Sequence, residues 1–170
     1  MTRMNKKMAI QLENIKLRGG ILPAQLTDLL AQGFCKINDC FFLSSLATKK
    51  TIASNTDFPD KTGYECFINS IHIDDYTSSD YLANAHLFAE LAFRIWHKEG
   101  QKGTLQAIIS SDEFGASIKF HFLREGESWI DSDLSKYEDA ILVLNSDDLM
   151  DNLNSTLCGS RRATCSRAAP

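Results

Sequence analysis

SSDYLANAHLFAELAFRIWHKEG, residues 78–100, is the stretch that decides how the rest of the chain must fold. Tyr81, Leu82, Ala85, Phe88, Leu91, Ala92, Ile95 and Trp96 recur at spacings of three and four. That period predicts one helix with a broad apolar stripe. Ser78, Ser79 or Asp80 can cap its start, because a short polar side chain accepts from an orphaned amide of the first turn. Lys98 suits the negative end of the helix dipole, and Gly100 supplies the stop. A helix of roughly 20 residues is ~30 Å long, enough to cross a whole sheet. Such a stripe has to be covered, so strands are expected around it.

The flanks supply them. Residues 104–110 (TLQAIIS) and 116–123 (ASIKFHFL) bracket SDEFG, a five-residue turn ending in Gly115, and predict a hairpin. In its second strand Ile118, Phe120 and Phe122 point one way, while Lys119, His121 and Leu123 point the other. GESWIDSDLSKYED reads as irregular or a short helix. AILVLNS (140–146) is the most hydrophobic run and predicts a central strand. DDLMDNLN follows as a short helix capped by Ser146. Upstream, YECFINSIHI (64–73) is aromatic and β-branched, which predicts another central strand. Residues 48–63 form a polar loop with a short edge strand at 51–53. FCKI and CFFLSSLA flank a tight turn at Asn38-Asp39. PAQLTDLLAQ reads as a helix with Pro23 in its first turn and Gly33 as its stop. AIQLENIKLR (9–18) alternates in part and predicts a first strand, broken by Gly19-Gly20.

These elements fit one α+β domain over residues 1–155. The expected form is a mostly antiparallel sheet of about five or six strands, with the long helix across one face and short helices near both ends. Residues 156–170 lose all periodicity and read as a disordered or non-native tail. At 170 residues and 44% hydrophobic, the chain suits a single domain with a sizeable core.

Composition narrows the function. No apolar run approaches the ~18 to 20 residues of a membrane span, and Glu13 and Lys16 interrupt what would be a signal peptide's apolar segment. A cytoplasmic location is expected. The five cysteines (35, 40, 66, 158 and 165) are odd in number and irregularly spaced, which favours free thiols in a reducing compartment. The net charge of −4 is uneven: residues 56–151 hold 19 acids against 7 bases, whereas the first 55 hold 8 bases against 3 acids. Such an acidic centre repels phosphate, so no direct nucleic-acid partner is expected. It attracts a basic protein and speeds encounter with one, and it also serves simply to keep the chain dispersed.

No catalytic or metal-ligand spacing emerges. His72, His86, His97 and His121 are dispersed, with no HExxH or HxH. Asp74-Asp75 follows a predicted strand, a place where ligands bind but where solvated turns are commoner. There is no GxSxG elbow, and Gly19-Gly20 lacks the Lys-Ser/Thr of a phosphate loop. Cys66 and His72 would lie ~20 Å apart on one strand, so a Cys–His pair would need another histidine such as His121. No enzyme activity, cofactor or metal is assigned.

Several segments carry a resemblance. Phe67-Ile68-Asn69 with Asp74-Asp75-Tyr76, the long helix, and Glu127-Ser128-Trp129 running through Tyr137-Glu138 into the 140–146 strand resemble immunity proteins of contact-dependent growth inhibition systems. The similarity spans roughly residues 40–150 and its motifs are not catalytic. It implies a cytoplasmic protein that binds the C-terminal domain of a cognate toxin, commonly a nuclease, as a 1:1 heterodimer. The residues agree with that expectation. A nuclease cleft is basic, and an inhibitor complements it with carboxylates and a few aromatic anchors. Glu125, Glu127, Asp131, Asp133, Glu138 and Asp139 gather near Trp129, with Asp147, Asp148 and Asp151 downstream. Trp129 either anchors a partner or caps the hairpin core. A strand edge near 104–123 is a second mode of binding. Two rivals remain: a chaperone of a secreted effector, dimeric with an apolar groove, and a small hydrolase built on Cys66.

Overall fold

A computed structural model describes residues 1–15, 20–48 and 51–148. The hairpin predicted around residues 111–115 forms its centre: β5 (Leu105–Ser111) and β6 (Ala116–Phe122) pair antiparallel, with Leu105 opposite Phe122. β7 (Ala140–Asn145) lies on the far side of β5, and the two-residue β1 (Arg3–Met4) extends it. On the other edge β4 (Ser70–His72) pairs with β6. The sheet order is β1-β7-β5-β6-β4, antiparallel throughout.

α5 (Tyr81–Lys98) covers one face, as its stripe demands. Phe88, Ala92 and Trp96 meet Leu105, Ala107, Ile109, Ile118, Phe120 and Leu142 in the main core. Each fully buried side chain of this size stabilises by about 1.5–3 kcal/mol. Trp96 keeps its indole N–H satisfied by donating to the Gly103 carbonyl at 3.0 Å. The start of α5 differs from expectation. Asp80 precedes it at φ +55 with no capping hydrogen bond from its side chain. The opposite face of the sheet has a smaller core, where Ile108, Ile141 and Val143 pack against Ile130, Leu134 and Tyr137.

The other elements attach to this frame. α2 (Ala24–Leu30) lies beside α5 and buries Leu26 and Leu30. β2 (Phe34–Ile37) and β3 (Cys40–Leu43) form a separate hairpin around Asn38 and Asp39, both at positive φ as a two-residue turn requires. α3 (Ser44–Ala47) follows β3 directly.

Two predicted strands are helical in part. Of the segment predicted as a strand over 9–18, residues 9–13 lie in α1 (Lys6–Glu13) and residues 16–18 lie outside the described residues. Asn5 caps α1, its side-chain oxygen accepting from the Met8 amide at 3.0 Å, and Met8 is buried while Leu12 and Ile15 pack against the core. Spacings of four and three win over the partial alternation. The supposed central strand 64–73 divides into α4 (Lys61–Ile68) and the edge strand β4. Asp60 caps α4 by accepting from Gly63 at 2.7 Å. The helix buries Thr62, Glu65, Cys66 and Asn69 while leaving Phe67 51% exposed. Its buried face is polar, so a reading that places hydrophobic residues inside goes wrong there. Residues 51–53 form no strand. Residues 146–148 begin a helical turn; the rest of the expected last helix and the 156–170 tail lie outside the described residues.

Candidate functional site

The acidic segment after β6 is fastened to the sheet at fixed points. Ile130 and Leu134 are buried in the smaller core, and Tyr137 packs beside them while accepting from the Asp131 amide at 2.9 Å. Asn5 reaches across to donate to the Asp139 carbonyl at 2.7 Å, and Arg3 donates to the Ser132 carbonyl. Between these anchors the carboxylates are preorganised. Asp131 accepts from the Asp133 amide at 2.8 Å and from Lys136 Nζ at 2.6 Å. Asp133 caps a 3-10 turn over Leu134–Lys136 by accepting from Ser135 N and Oγ. Hydrogen bonding to Lys136 chiefly holds Asp131 below the usual carboxylate range, and hydrogen bonds from Ser135 do the same for Asp133. Both stay charged at neutral pH.

Of the nine residues expected at the surface, seven are exposed: Glu125, Trp129, Asp131, Asp133, Glu138 and Asp139 on this segment, and Asp147 after β7. Trp129 is 43% exposed and belongs to neither hydrophobic core. Three of the nine bond to partners distant in sequence. Glu127 accepts from Thr62 N at 3.0 Å and Thr62 Oγ1 at 2.8 Å, close to the start of α4. Asp147 accepts from Thr104 Oγ1, and Asp148 pairs with the Met1 amine at 2.9 Å. They follow β7, at the end opposite Asp139.

Asp139 also opens onto a feature that sequence reading missed. It lines a polar recess of about 250 Å³ with His72, Asp74, Asp112, Ser110 and Ser117. The hairpin turn and the end of β4 bring Asp74 and Asp112 to the same recess as Asp139, extending the negative surface. The register of β4 on β6 places His72 opposite Ser117. That pairing is invisible while 64–73 is read as one strand.

The strand-edge mode loses its edge. β5 is flanked by β6 and β7, and β4 covers β6 along residues 117–119. Beyond that, Asn69 donates to the Phe120 carbonyl at 3.1 Å, and Glu65 accepts from the Phe122 amide at 2.7 Å. Both side chains simultaneously bond β3. Glu65 accepts from Phe41 N at 2.7 Å, while Asn69 accepts from Leu43 N at 2.9 Å and donates to Phe41 O at 2.9 Å. Glu65 is fully buried and receives a two-pronged contact from Arg124, at 2.6 and 3.0 Å. One polar face of α4 thus joins two strands whose backbones do not pair. The spacing of four between Glu65 and Asn69, behind the cap at Asp60, is the sequence signal that marks it.

The thiol chemistry has no geometry to support it. Cys66 is fully buried on a helix, not on a strand, and burial pushes its thiol well above the usual range. His121 is buried with Nε2 3.1 Å from Gln106 Oε1, and burial pushes its pKa down. Cys35, Cys40 and Cys66 are free thiols. Among the described residues no group of three His, Cys, Asp or Glu side chains is arranged to hold a metal, and no helix is long and apolar enough to cross a membrane.

Comparison with known proteins gives a family. No solved structure matches the chain. It is similar to uncharacterized protein PM0498 of Pasteurella multocida (strain Pm70), with 30% identity over 145 residues that cover 79% of this chain and 90% of that protein. Residues 3–163 match the family model described as the Uncharacterized protein PM0498 family, and the chain belongs to that family.

Proposed function

We propose that this chain is an immunity protein that binds and neutralises the C-terminal toxin domain, commonly a nuclease, of a contact-dependent growth inhibition system. The carrying observation is the segment 125–139. It holds ionised Asp131 and Asp133 in set positions beside a half-exposed Trp129, and three apolar anchors fix it to the sheet. Preorganised carboxylates around an aromatic anchor complement a basic, phosphate-binding cleft at low ordering cost. The resemblance over residues 40–150 supports the same reading. The complex would form 1:1 in the cytoplasm, with no reaction assigned to the chain itself.

A second reading, an effector chaperone, is favoured by an apolar groove between α2 and α5 lined by Leu30, Leu91 and Ile95. A dimer in light scattering favours the chaperone; a monomer that pairs with one toxin domain favours immunity. The decisive test uses a candidate toxin domain taken from a neighbouring open reading frame. Reversing Asp131, Asp133, Glu138 and Asp139 to lysine slows association at low salt by about 10- to 100-fold and flattens its salt dependence. Unchanged stopped-flow kinetics remove the electrostatic claim, and absence of any complex with the wild-type chain removes the reading.

A further inference from the structure

The acidic chain also carries a basic recess, whose last lining residue, Arg124, directly precedes the carboxylate segment. Lys36 and Asp39 of the β2–β3 hairpin, Lys61 at the start of α4, Gln101 and Lys102 after α5, and Arg124 after β6 line a volume of about 540 Å³. The stacked rings of Phe41 and Phe122, with centroids 5.1 Å apart, give it an apolar wall. Lys36 and Arg124 stand over those rings at 5.5 and 5.1 Å. The charges do not cancel. Arg124 is matched by buried Glu65. Asp39 alone faces both Lys36 at 2.9 Å and Lys61 at 3.7 Å, and Lys102 has no carboxylate partner among the described residues. Two ammonium groups therefore share one carboxylate, and a third, Lys102, lines the same recess with none.

We propose that this recess binds a phosphate-bearing small molecule, held by Lys36, Lys61 and Lys102, with Asp39 as the internal counter-ion that the phosphate displaces. A dianion satisfies the surplus that one carboxylate leaves, since hydrogen bonds between ammonium and phosphate are charge-assisted on both sides. The volume exceeds what a bare phosphate needs, and the Phe41–Phe122 wall suits an apolar body attached to it. The Asn38–Asp39 turn carries the displaceable group at positive φ on an exposed loop, where it can swing aside without disturbing the core. This site is independent of the toxin-binding reading.

The test is calorimetric titration of the whole chain with phenyl phosphate and with inorganic phosphate, against sodium chloride at matched ionic strength. Saturable 1:1 binding is expected, tighter for phenyl phosphate. Lys102→Ala and Lys36→Ala each weaken it by about tenfold, the worth of one charge-assisted contact. Asp39→Asn tightens it, because two lysines are released, and asparagine tolerates the positive φ of that turn. Folding of every variant is checked by circular dichroism, and all three changes lie on exposed side chains. Lack of saturation, indifference to the lysine changes, or weaker binding by Asp39→Asn overturns the proposal. Binding of a short single-stranded oligonucleotide at these lysines, with phenyl phosphate silent, overturns it as well.

Discussion

Glu65 and Asp131 carry the same functional group in opposite situations. Glu65 is sealed beneath α4, where four donors from Phe41, Phe122 and Arg124 converge on its two oxygens. Asp131 lies on the surface, held by one lysine, one backbone amide and the Ser132 hydroxyl at 3.4 Å. A buried carboxylate carries a desolvation cost that only full pairing offsets, so its removal strands two amides and takes from Arg124 its buried counter-ion, leaving it the Phe122 and Asp39 carbonyls and Glu127 at 3.9 Å. A surface carboxylate remains hydrated, so its interactions add little to stability and it stays available to a partner. The α4 region uses charge to build the fold, and the 125–139 segment uses it to present a face.

Glu65→Ala should break this contrast most visibly, lowering unfolding free energy by about 3–5 kcal/mol in urea titrations, the usual cost of orphaning one partner of a buried pair. A loss below about 1 kcal/mol would mean that water replaces the carboxylate and that α4 is not a structural clamp. Asn69→Ala comes next, at about 1–3 kcal/mol, because it deprives the Leu43 amide and the Phe41 and Phe120 carbonyls of partners. A smaller effect involves pH. Burial holds His121 and His86 below the ordinary histidine value of about 6.5. The unfolded chain then binds more protons than the folded one just below that value, so stability falls as pH drops from 7.5 to 5.5. His121→Gln should flatten part of that slope; an identical slope would assign it elsewhere. Least affected is Asp131→Ala, which should leave the urea midpoint unchanged while slowing toxin association. A clear shift in the midpoint would show that the exposed segment is structural too.

How far this contrast was legible in the sequence follows from the same physics. The apolar stripe of α5, the β5–β6 hairpin, β7 and the Asn38-Asp39 turn all obey the rule that hydrophobic residues face inward, and each lies where its pattern predicts. α4 inverts the rule. Its buried face is Thr62, Glu65, Cys66 and Asn69, so its aromatic residues look like a strand. α1 was concealed by four-residue spacing that partly mimics alternation, though Asn5 was readable as its cap. At the surface, Trp129, Asp131 and Asp133 were legible because their surroundings are local. Glu127, Asp147 and Asp148 were not, since Thr62, Thr104 and Met1 are distant in sequence. The recess joining Asp74, Asp112 and Asp139 needs three separate elements to meet.

Closing a strand with side chains has a consequence for self-association. An open sheet edge templates pairing with another molecule. Here the Phe120 carbonyl and the Phe122 amide on β6 are occupied by Asn69 and Glu65 instead of by a neighbouring strand. Unwinding of α4 alone, with the sheet still intact, would bare those groups and the facing backbone of β3 together. At this edge, exposure of pairing groups to a second molecule is therefore set by how often that single two-turn helix opens.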